Sequence, residues 1–253
     1  MSRLLGTTPV RTVVSVWAWI TLGVLVLLAL PIVAVVRLVT SPFDRGAYLA
    51  GYCFRRIAWA HQVINPLWTF RVEGDTPADP RHPYVVVANH ESFVDMLAIS
   101  QLPIEMKWVA KSEFFKIPIL GWLMRLARDI KLVRGESGSG AHVYEQAAER
   151  LSTRVSVMLF PEGTRSTSGD LGEFKDGAFK MAISNQVPVL PLAVHGTRAA
   201  LVKHDWRFGL CDATVRVLDP IPTDGMTVDD VGQLRDLVRE RIADARAELA
   251  ARA

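Results

Sequence analysis

The sequence predicts an α/β domain, with a mixed, largely parallel sheet flanked by helices, behind an N-terminal pair of membrane-associated helices. Three observations carry the prediction. Seven short runs rich in apolar and β-branched residues read as strands, helical patterns alternate with them, and the stretch from Val13 to Val36 holds no charged residue. A chain of 253 residues suffices for one sizeable core plus an attached segment, dividing into a membrane segment at 1–66 and an α/β domain at 67–253.

The N-terminal element comes first. A helix over Val13 to Val36 measures about 35 Å at 1.5 Å per residue, against a hydrocarbon layer of about 30 Å. It exceeds the apolar core of a signal peptide, roughly 7 to 15 residues, and no small-x-small cleavage site closes it. Pro31 removes a ladder hydrogen bond and Gly23 sits mid-run, so a re-entrant helix in one leaflet stands as the alternative to a full span. If the helix spans, Arg37, Arg45, Arg55, Arg56 and Arg71 follow it and place the rest of the chain on the cytoplasmic side of the cell membrane. A second, amphipathic helix is expected over about 43–64, ending at Asn65-Pro66; it lies at head-group level or forms part of the core. Trp17, Trp19, Trp59 and Trp68 are interface anchors or packing residues.

The expected strands are Trp68 to Glu73, Tyr84 to Ala88, Lys107 to Ala110, Ile130 to Val133, Val155 to Phe160, Val189 to Val194 and Thr214 to Leu218. Helical spacing covers Ile119 to Arg128, Ala141 to Ser152 and Lys175 to Ser184, and a charged amphipathic helix from about Val228 closes the chain. Gly135 to Gly140 is glycine-rich, but it lacks the Lys-Ser/Thr ending of a P-loop and the order of a dinucleotide site, and reads as a strand-to-helix loop.

Composition removes several function classes. Net charge is +3, with no basic run interleaved with aromatics, which excludes a nucleic-acid partner. The arginines are concentrated instead: seven lie within Met1 to Arg71, against the single acid Asp44, a balance suited to anionic head groups. Cys53 and Cys211 stand alone, without ligand or disulfide spacing. The six histidines are scattered, with no metal-binding pattern, so neither metal nor cofactor is expected.

Two polar turns, each directly after an apolar strand, carry the chemistry. Asn89-His90-Glu91-Ser92-Phe93-Val94-Asp95 sets an imidazole five residues before a carboxylate. Residues five apart on one α-helix diverge by about 140°, so the two meet only across a bend. Ser92 followed by Asp95 ahead of Met96-Leu97-Ala98-Ile99 reads as a capped helix start and supplies it. The pair is a general base with its orienting acid, or else a hydrogen-bonded turn and a helix cap. Phe160-Pro161-Glu162-Gly163-Thr164-Arg165-Ser166 is the second turn, where glycine permits a sharp bend and arginine offers a bidentate fork to phosphate, or a structural salt bridge.

The combination N-H-x-x-x-x-D then F-P-E-G-T-R resembles the glycerophospholipid acyltransferase family, most closely the 1-acyl-glycerol-3-phosphate (lysophosphatidate) acyltransferases. Weaker matches are Arg134-Gly135 and Val187-Pro188-Val189-Leu190-Pro191, and the resemblance runs from about Trp68 to Asp219. It implies a glycerol-3-phosphate acyltransferase-like fold and transfer of a fatty acyl group from acyl-CoA or acyl carrier protein, as thioester co-substrate, to the sn-2 hydroxyl of lysophosphatidate, giving phosphatidate. It makes His90 and Asp95 catalytic and assigns Lys111, Glu162, Gly163, Thr164 and Arg165 to the acceptor, with Asn89, Ser92 and Arg134 completing the set. Phe114 to Leu126 is an acyl slot or core. Another lysolipid acceptor, such as a lyso-ornithine lipid, and an inactive membrane-tethered lipid-binding protein are the rival readings.

Overall fold

The computed structural model describes residues 8–252 apart from 134, 136–137, 167–168 and 202–204. Two helices lead: α1 (Thr8–Thr40) and α2 (Tyr48–Ile64). The strands are β1 (Trp68–Glu73), β2 (Val85–Ala88), β3 (Met106–Lys111), β4 (Ile130–Leu132), β5 (Ser156–Leu159), β6 (Val189–His195) and β7 (Cys211–Val217). Between and after them lie α3 (Asp95–Ile99), α4 (Leu120–Leu126), α5 (Ser139–Ser152), α6 (Gly177–Asn185) and the closing α7 (Val231–Ala251).

The seven strands form one sheet in the order β1-β7-β6-β2-β5-β3-β4. Pairing is parallel throughout except between β6 and β7, so the sheet is mixed and largely parallel. Its centre is apolar without alternation because both faces are covered: Val85, Val86, Val87 and Ala88 of β2 are all buried. On one face Met158, Leu190 and Leu192 pack with Ala98 and Ile99 of α3. The other face is closed by α5, α6 and α7, the last burying Val231, Leu234, Val238, Ile242 and Leu249 at helical spacing.

The topology creates a crevice. From β2 the chain turns into α3 on one face, whereas from the adjacent β5 it proceeds to α6 on the other. Adjacent strands whose connections leave to opposite sides open a cleft at their carboxyl ends, where α/β sheets bind ligands.

α1 continues through Pro31 without ending and lies along the domain. Near its start, Arg11 donates to the carbonyls of Phe208 (2.9 Å) and Arg207 (2.8 Å), and Trp19 Nε1 to that of Trp206 (2.9 Å). Further on, Ala29 and Val33 pack with Phe54 of α2 and Leu123 and Met124 of α4. Trp68 is buried and is a packing residue, while Trp17 and Trp59 are half exposed. α2 is seated over a buried ionic cluster, in which Lys107 Nζ donates to Glu105 Oε1 (2.7 Å) and to the Ala47 carbonyl (2.8 Å), and Arg55 pairs with Asp129.

Candidate active site

The turn after β2 brings His90 and Asp95 together as the bend requires. His90 Nδ1 lies 2.8 Å from Asp95 Oδ2. That same oxygen accepts the backbone N–H groups of Glu91 (2.7 Å) and Ser92 (2.9 Å), and Oδ1 accepts the Thr197 hydroxyl. Asp95 is fully buried, so these donors replace the water it has lost. Ser92 is buried too, its Oγ accepting from Val94 N–H (3.3 Å). Asn89 ties the turn to β6 through paired bonds with Val194, both 2.8 Å.

The imidazole is partly exposed and stacks on Phe160, with ring centroids 3.9 Å apart and planes 14° from parallel. Glu162 sits beneath the turn: Oε1 accepts His90 N–H (2.7 Å) and Oε2 accepts Gly172 N–H (3.0 Å). Both oxygens are therefore occupied by backbone amides, and the carboxylate braces the turn. Gly163 holds φ at +70°, which a glycine adopts without strain.

Lys111 ends β3 and Arg165 follows β5, both at the carboxyl edge that carries His90. Thr164 is exposed beside Arg165. Arg134 lies outside the described residues. Sequence reasoning missed Lys175, whose Nζ overhangs Gly163 so closely that an added Cβ would stand 3.1 Å from it. Neither Lys111, Arg165 nor Lys175 makes a side-chain hydrogen bond or ion pair with any described residue. It also missed Thr197, whose only signal was its place just beyond β6, another strand ending at this edge.

An apolar cavity of about 170 Å³ adjoins the site. Phe93 and Met96 line it from the α3 turn, Trp108 from β3, Phe114 and Met124 from the next segment, and Leu22 from α1. Cys211 is no competing nucleophile, since burial, reinforced by Asp95, pushes its thiol up to about 12.

This sheet edge joins a His-Asp pair, an adjoining apolar cavity and cations without a partner among the described residues, and a family profile described as Acyltransferase matches residues 69–195. The 1-acyl-sn-glycerol-3-phosphate acyltransferase alpha of Homo sapiens is 36% identical over 219 residues, spanning 85% of this chain and 74% of the human protein. The chloroplastic 1-acyl-sn-glycerol-3-phosphate acyltransferase LPAT1 of Arabidopsis thaliana is 38% identical over 146 residues, 55% of this chain and 39% of that one. The crystal structure of the 1-acyl-sn-glycerophosphate (LPA) acyltransferase PlsC from Thermotoga maritima superposes with a TM-score of 0.80 at 26% identity, covering 96% of this chain and 97% of that chain. The chain belongs to the 1-acyl-sn-glycerol-3-phosphate acyltransferase family.

Proposed function

We propose that the protein transfers a fatty acyl group from acyl-CoA or acyl carrier protein to the sn-2 hydroxyl of lysophosphatidate, giving phosphatidate. The observation that carries this reading is the 2.8 Å contact of His90 with a buried, fully satisfied Asp95. With Nδ1–H held by the carboxylate, Nε2 is left to accept the acceptor's hydroxyl proton. The hydroxyl oxygen attacks the thioester carbonyl, the carbon–sulfur bond breaks, and the imidazolium returns the proton to the departing thiolate. Arg165, Lys111 and Lys175 fit the phosphate, and the cavity fits the start of the acyl chain. Glu162, Asn89 and Ser92 act as supports of the turn.

Membrane binding belongs to the same reading. Val13, Ile20, Leu28, Ile32, Val35 and Leu38 of α1 are more than half exposed, an apolar stripe suited to lipid. Contacts with the domain near both ends favour α1 lying within one leaflet over crossing it.

The test is product analysis by mass spectrometry with a mixed lysolipid pool and each donor. Phosphatidate is expected to dominate, and His90→Ala to lower kcat by at least about 10²-fold while the protein stays folded. Acylated lyso-ornithine lipid, or no product, would overturn the assignment.

A further inference from the structure

α7 lies outside the profile-matched residues, yet two of its arginines reach the loops that build the site. Arg239 and Arg246, seven residues apart and hence on one side of the helix, both point to the segment after the second motif. Arg239 donates to the carbonyls of Gly172 (3.1 Å) and Leu171 (3.0 Å). Arg246 Nη2 donates to Glu91 Oε1 (2.6 Å) and to the Gly169 carbonyl (2.8 Å).

Both routes converge on His90. Gly172 N–H is bound by Glu162, whose other oxygen holds His90 N–H. Glu91 is the residue after His90, and its own N–H is one of the donors to Asp95. Its side chain is 6% exposed and that of Arg246 14%, so the pair is little screened by water. Burial pushes the Glu91 carboxyl up, and the Arg246 bond acts against this.

We propose that Arg246 is a positioning residue for acyl transfer, fixing through Glu91 and Gly169 the turn on which His90 meets Asp95. This rests on the reading of His90 as the base. Removing one partner of a buried ion pair destabilises a fold, but a purely structural role would change the folded fraction alone.

The experiment compares wild type, Arg246→Met, His90→Ala and the double variant, with kcat, both KM values and thermal unfolding measured on the full chain. Arg246→Met is expected to lower kcat about 10- to 100-fold with either KM changed by less than about threefold. In the His90→Ala background it should have little further effect, because changes acting through one group do not add. An unchanged kcat, or the full factor persisting without His90, would overturn the proposal. Glu91→Gln serves as a second variant should Arg246→Met fail to fold; it should lower kcat with the same non-additivity, and a normal kcat counts against the proposal. Wild-type turnover in His90→Ala would sink the base reading itself, whereas an inert His90→Ala beside a fully active Arg246→Met sinks only this inference.

Discussion

Arg165 is half-buried, with no side-chain hydrogen bond or ion pair to any described residue, and a guanidinium suits a phosphate. Losing a charge-assisted bond costs roughly 1.5 to 3 kcal/mol, so Arg165→Ala should raise the KM for lysophosphatidate by about 10- to 150-fold, read from initial rates; an unchanged KM would remove it from the acceptor site. His90 and Asp95 were legible in the sequence because one short turn contains the whole interaction. Thr197 was not, since it meets Asp95 across 102 positions, nor Arg246, which meets Glu91 across 155. Only the closed sheet and the docked helix create those neighbours. Glu162 was placed near the site by its motif, but its bracing contacts depend on where Gly172 returns.

Among the elements, the central strands were legible because burial on both faces leaves unbroken apolar runs. Strand order and the antiparallel β6–β7 pair carry no comparable mark. α4 stops short of the expected Arg128, which adopts φ +60° while Asp129 N–H returns to the Met124 carbonyl (2.9 Å), a helix end reached without glycine. Gly51 of α2 shows how tightly that helix is seated. A Cβ there would collide with Glu105 Oε1 and with Lys107 Nζ. Gly51→Ala should therefore destabilise the protein by about 1–3 kcal/mol despite alanine's better helix propensity, as measured by denaturant unfolding in detergent; a gain in stability would show that the cluster yields easily.

For the molecule as a whole, the seam between α1 and α2 should be sensitive to acid. His61 is fully buried, with Nε2 2.9 Å from the Ala18 carbonyl. Burial lowers its pKa from the ordinary 6.5, against the opposing pull of that carbonyl. Below 6.5 the unfolded chain takes up a proton that the folded chain resists, so stability falls as pH drops toward the lowered value. Thermal unfolding followed between about pH 7 and 5.5 should show this decline, and His61→Gln should flatten it. The exposed stripe of α1 makes a separate prediction: the chain should float with neutral phospholipid vesicles even at about 1 M salt, where charge attraction is screened. Sedimentation away from the vesicles would refute lipid insertion. On the proposed reading, an enzyme anchored through a helix held in one leaflet would deposit its product in the monolayer it occupies. That monolayer gains area while its opposite does not, and growth of both then requires a separate carrier to move lipid across.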